Sequence, residues 1–208
     1  MAGEGVRDST TDDNIDLTDA CNNLWSLRTD KGGNVHTPVT ISYEHHKVHE
    51  GKLFGAGYYS SSVANNGAIN VLLQTPVGTT AHVYLKVNVG GDAVFRAFEG
   101  TTVSAAGTAI TPIDHNRETA NTATITVTHT PTITDDGTQL WEEFIPGGTS
   151  SGGGGGGGGS HPGAVATTLS EQIILKADET YLLRLTNISG GAQPEDITFS
   201  FYEVPAST

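Results

Sequence analysis

Three of the chain's eight histidines fall within the nine residues Glu44-His45-His46-Lys47-Val48-His49-Glu50-Gly51-Lys52, together with two carboxylates. Imidazole carries protons and ligates metals near neutral pH, so this is the stretch in which site chemistry has to be weighed. On a helix, His45 and His49 at i, i+4 share a face, which suits a metal. On a strand, His45 and His49 share one face while His46 takes the other, and the cluster is split. As a structural cluster, the rings hydrogen-bond the backbone and bury their flat apolar edges. Apart from Glu44 and Glu50, no further ligand stands at a fixed spacing, so the reading favours a structural cluster, with no metal and no cofactor. A second pair, Asp114-His115, has the residue types of a catalytic dyad. Adjacent side chains on extended chain point apart, however, and no nucleophile is marked nearby, so no catalysis is expected. The eight glycines Gly152 to Gly159 lack the Gly-Lys-Ser/Thr that a phosphate-binding loop needs. They read as a flexible surface loop.

The elements that must position these residues are strands. A chain of 208 residues suits one all-β sandwich or barrel. Only 16% of residues are charged, and Thr, Ser, Asn and Gly supply the polarity, which favours strands and turns over exposed helices. The net charge of −13 argues against nucleic acid and against an anionic membrane as partners. Cys21 is the single cysteine, so no intrachain disulfide can form. Residues 1–5 lack the basic and apolar regions of a signal peptide, and no apolar run reaches membrane-spanning length. A soluble protein made in a reducing compartment is expected.

Residues 1–42 form, on this reading, an extended N-terminal arm poor in core-forming residues. Leu17, Ala20, Cys21, Leu24 and Trp25 recur at helical spacing with Asp16 as a possible cap, so one amphipathic turn is expected there. From residue 43 to 208 the pattern is that of a β domain, with a glycine-rich loop over 150–163. Ala81, Val83, Leu85, Val87 and Val89 alternate with His82, Tyr84, Lys86 and Asn88, the clearest half-buried strand. Threonines occupy every second position from Thr122 to Thr134, suggesting one long strand interrupted by Pro131. Gln172–Leu175 and Tyr181–Leu185 flank a turn and read as a hairpin, followed by a strand through Ile197, Phe199 and Phe201. Asn187-Ile188-Ser189 has the form of a glycosylation acceptor. Eight or nine such strands and no convincing helix argue for an antiparallel β-sandwich, with a jelly roll favoured.

Several short motifs, taken in order, resemble head decoration proteins of tailed bacteriophages. They are His46-Lys47-Val48-His49-Glu50-Gly51-Lys52-Leu53-Phe54, Phe98-Glu99-Gly100-Thr101-Thr102-Val103, Gly107-Thr108, His115-Asn116-Arg117 and Ile145-Pro146-Gly147-Gly148. Leu175 to Asn187 and Phe201-Tyr202-Glu203 complete the set, which spans about 44 to 204. The resemblance implies a virion protein, often a homotrimer, fixed on the outer capsid surface by binding the major capsid protein, and made in the host cytoplasm. It carries no catalytic residues. In the arm, Leu17, Leu24, Trp25 and Leu27 are the candidate capsid-docking residues, because these apolar side chains would otherwise be exposed. The rival is a carbohydrate-binding or adhesin-type jelly-roll module on a virion, which needs exposed aromatics on one face. Trp141, Tyr58, Tyr59 and Tyr84 are its candidates.

Overall fold

A computed structural model describes residues 42–119, 121–147 and 173–206 in full, and residues 15–18, 24–28, 37–40 and 165–172 by their backbone. The N-terminal segment contains β1 (Ile15–Thr18), β2 (Leu24–Arg28) and β3 (Thr37–Thr40), an antiparallel sheet in the order β1-β2-β3. Leu17 pairs with Trp25 and Thr18 with Leu24. The amphipathic helical turn expected across these residues is therefore replaced by two strands. A helix of two turns is marginal in water, whereas Ile15, Thr18, Trp25, Val39 and Thr40 are strand formers.

A short helix, α1 (Tyr43–His49), follows, capped by the Ser42 hydroxyl, which accepts from the His45 N–H. It is the helix that composition did not suggest. The chain then builds a sandwich from β4 (Leu53–Val63), β5 (Ala68–Thr75), β6 (Thr79–Val89) and β7 (Ala93–Glu99). Short strands come next: β8 (Thr102–Ala105), β9 (Thr108–Ile110), β10 (Ile113–Asp114), β11 (Thr126–His129) and β12 (Thr132–Asp135). Four long strands close the fold: β13 (Thr138–Ile145), β14 (Val165–Leu175), β15 (Glu179–Asn187) and β16 (Gln193–Pro205). One sheet runs β10-β4-β16-β6-β14 and the other β13-β7-β15-β5-β11-β9. Every pairing is antiparallel. The all-β sandwich expected from periodicity is the observed architecture.

Among the eight long strands, each chain connection crosses between the sheets except the one from β7 to β13. This corrects the expected C-terminal hairpin. β14 pairs with β6 and β15 with β5 and β7, so the turn at 176–178 links the two layers, with Asp178 at φ 56. Both segments look alike in periodicity because both bury one face.

The threonine-rich stretch is likewise two strands in two sheets. β11 pairs with β5 and β9, then Thr130 turns at φ 50 ahead of Pro131, and β12 pairs with β8. Thr122 and Thr124 precede these strands.

The main core is the space between the sheets. From one side come Val83, Leu85, Val87, Ile197, Phe199 and Phe201; from the other, Val71, Leu73, Phe95, Leu183 and Leu185. Truncating a fully buried residue such as Phe95 or Phe201 to alanine is worth about 3–5 kcal/mol. A second cluster, Leu72, Phe98 and Leu182, lies on the outer side of the β5–β15–β7 layer and is covered by Val103 of β8 and Ile133 of β12. Arg184 fastens this cover. Its guanidinium donates twice to the Asp136 carboxylate at 2.6 Å and lies 5.3 Å from the Phe98 ring.

Candidate functional site

α1 is bolted across one end of the outer face of the β4–β16–β6 sheet. Tyr43 meets Tyr202 edge-on at 5.4 Å, and Tyr202 in turn stacks on His82 and shares a 2.9 Å hydrogen bond with it. Glu44 accepts from the Tyr84 hydroxyl at 2.6 Å. That bond holds the Glu44 carboxyl below its ordinary range. Lys47 is buried, which works against its charge, but its hydrogen bonds to Glu50, at 2.6 Å, and to the Tyr43 side chain more than offset this and raise its pKa. The helix ends at Gly51, whose φ of 65 suits glycine. A Cβ there would come within 2.4 Å of Thr119 Oγ1 and Asn121 Nδ2.

The Asp114–Asn121 loop packs against the same corner. The Asn116 amide donates to the His49 carbonyl, Asn121 to the Gly51 carbonyl, and the His115 N–H to the Leu53 carbonyl. Asp114 ends β10, and its carboxylate holds the turn that follows. Burial pushes its pKa up, but the Asn116 N–H and Thr119 hydroxyl that it accepts, with Arg117 nearby, bring it below the usual range. Its oxygens thus serve the loop and not His115, whose exposed ring lies over Gly55. No dyad forms. Glu203 completes the corner by accepting from the Thr124 and Ile125 N–H groups and the Thr124 hydroxyl.

His45, His46, His49, His82 and His115, five of the eight histidines, thereby gather at one corner. His45 and His49 are exposed, with Nε2 atoms 2.9 Å apart. His46 pairs instead with Glu50 at 3.0 Å. The helical alternative for the cluster is the observed one. Among the described residues no group of three or more His, Cys, Asp or Glu is arranged to hold a metal. The described residues also contain no helix long and apolar enough to cross a membrane.

Some of the short sequence motifs are brought together by the fold. Residues 46–54, 115–117 and 201–203 meet at the α1 corner. Residues 98–101 meet 175–181 at another place: Glu99 pairs with Lys176 and accepts from the Tyr181 hydroxyl, and the Gly100 N–H donates to the Thr180 carbonyl.

The four aromatic candidates do not share a face. Trp141 and Tyr58 pack against the core, Trp141 on Phe95 and Tyr58 stacked on His129. Tyr59 and Tyr84 remain on the outer side of the β4–β16–β6 sheet, where Gly55, Thr198, Ser200 and Lys86 line a shallow groove beside Tyr84. The side chains of Leu17, Leu24, Trp25 and Leu27 lie outside the described residues, as does the Gly152–Gly159 run. Asn187 is fully buried, and its amide donates to the Val63 and Gly191 carbonyls at 2.7 Å each, so the acceptor asparagine is folded into the structure.

Sequence reasoning passed over Glu195. Its side chain points into the sandwich at 2% exposure with Oε2 unpartnered, and burial raises its pKa to about 8. The signal was present, since position 195 shares the inward parity of Ile197, Phe199 and Phe201.

No protein-family model, no curated protein and no solved structure matches this chain.

Proposed function

We propose that the chain is a structural virion protein that decorates the outer surface of an icosahedral phage head, as a homotrimer bound to the major capsid protein. The resemblance of the ordered motifs is the starting point. The observation that carries the reading is where the apolar side chains go. The seam between the sheets lined by Leu73, Leu85, Ile173, Tyr181 and Leu183 leaves about 20 Å³, room for about one water molecule. Apolar side chains stand outside instead: Leu140 and Phe144 on β13 are 42% and 56% exposed, and Ile174 on β14 is 60% exposed. β13 and β14 are the edge strands of their sheets, where a further protein surface can be met. A filled sandwich with apolar edges favours a scaffold that binds proteins over a container for small molecules.

The strand order supports a jelly-roll reading. Numbering the eight long strands in chain order, one sheet runs 1-8-3-6 and the other 5-4-7-2, which is the winding of two interlocked Greek keys. The N-terminal segment, with Leu17, Leu24, Trp25 and Leu27, is the proposed capsid anchor.

The test uses undecorated heads. The wild-type chain is expected to sediment with them and to be trimeric alone by sedimentation equilibrium at micromolar concentration. Deleting residues 1–41, or making Leu24→Asp with Trp25→Asp, is expected to abolish occupancy while leaving the β spectrum intact. Equal decoration by all three forms would remove the anchor role. Sedimentation with a capsular polysaccharide and not with heads would favour the carbohydrate-binding reading, for which Tyr59 and Tyr84 on one face are the supporting observation.

A further inference from the structure

We propose that His45 and His49 form a two-imidazole chelate on the exposed side of α1, for a divalent cation that takes ligands at right angles. Two metal–nitrogen bonds of about 2.0–2.1 Å at 90° place their nitrogens about 2.9 Å apart, whereas a tetrahedral angle requires about 3.3–3.4 Å. The observed Nε2–Nε2 separation is 2.9 Å. That chord fits neighbouring corners of a square or octahedron, the preference of Cu(II) and Ni(II), and it is also the length of the N–H···N hydrogen bond that joins the two rings without metal.

The pair is held ready. One turn of helix aligns the two rings, their centroids 4.7 Å apart. The helix itself cannot swing, being fixed by the Ser42 cap, the Tyr43–Tyr202 contact, the Glu44–Tyr84 bond and Asn116 on the His49 carbonyl. In the metal-free protein one Nε2–H points at the other ring's lone pair. With the metal bound, both rings carry their proton on Nδ1 and both Nε2 lone pairs face the cation.

The nearby carboxylates are otherwise engaged. Glu50 takes His46, Lys47 and Lys52, and Glu44 takes Tyr84. Water therefore fills the remaining positions. The site is independent of the decoration reading and would stand if that reading failed.

The experiment is calorimetric titration of the EDTA-treated full chain with CuCl₂ and NiCl₂, with EPR of the copper form. One tight equivalent per chain is expected, with a nitrogen hyperfine pattern from two imidazoles. His45→Gln and His49→Gln should each weaken this site about tenfold or more, since each removes the intramolecular second ligand. His46→Gln should leave it unchanged. His45 and His49 are exposed and His46 is half-buried, and circular dichroism checks that the fold persists in all three variants. Zinc should bind more weakly than copper and nickel. Absence of a one-to-one site, undiminished binding by His45→Gln or His49→Gln, or tighter binding of zinc than of copper and nickel would overturn the assignment.

Discussion

A single carboxyl makes the fold's stability depend on pH in an unusual direction. Glu195 binds its proton more tightly in the folded sandwich than in the unfolded chain, because burial lifts it from 4.5 to about 8. The contribution is therefore complete below about 4.5 and is lost progressively as pH rises towards 8. Within that window each pH unit costs about 1.4 kcal/mol. Glu195→Gln cannot titrate, so the gap between variant and wild type in urea unfolding should widen in the variant's favour from pH 5 to pH 8. A constant gap would show that the carboxyl is solvated. Asp114 follows the opposite sign: its pKa is lowered, so its contribution is kept at neutral pH and lost on acidification.

At the scale of elements, α1 owes its position to a few side-chain anchors. Tyr84→Phe removes the hydroxyl that Glu44 accepts at 2.6 Å. It should cost about 1–2 kcal/mol at pH 7 and speed amide exchange in residues 46–50, because a charge-assisted bond is lost. Since the Glu44 pKa is depressed, the cost should disappear as acid protonates that carboxyl. Unfolding that is equally weakened at every pH would place the effect in packing instead.

The same scale shows what a sequence can tell. β6 was legible, because five inward residues alternate with polar ones along its whole length. The partition of strands between sheets was not legible. β11 and β12 share one threonine pattern but pair with different strands, and β14 and β15 bracket a short turn yet join opposite layers. Alternation reports which face is buried and says nothing of which strand lies beside it. The helix at Tyr43–His49 was open to more than one reading because seven residues fit either period; its outcome rests on Ser42, Tyr202 and Tyr84. The converging motifs of the α1 corner come from segments up to about 150 residues apart, a proximity that only the strand pairing supplies.

For the whole molecule, the glycine run belongs to a segment, residues 148–164, whose flanking strands are held to one short stretch of chain. β13 finishes at Ile145 opposite Ala93 of β7, and β14 begins at Val165 opposite Val89 of β6. Only Gly90–Asp92 separates those two partners, and the Gly147 N–H is tied to the Asp92 carboxylate. Replacing Gly152–Gly159 by two glycines should leave the melting temperature within a few degrees, because closure entropy changes by about 0.6 kcal/mol per doubling of length. Loss of soluble protein in calorimetry samples would show that the run is packed. The buried amide of Asn187 bears on how the protein can be made. In a eukaryotic secretory pathway, Asn187-Ile188-Ser189 is offered to the glycosylation machinery while the chain is still unfolded. A sugar added then would take one of the two donors that tie β15 to the ends of β4 and the 188–191 turn, and would have no room beneath them. Bacterial expression avoids this, and Ser189→Ala, which gives up only exposed contacts of the hydroxyl, would let the sandwich close in a yeast or mammalian host.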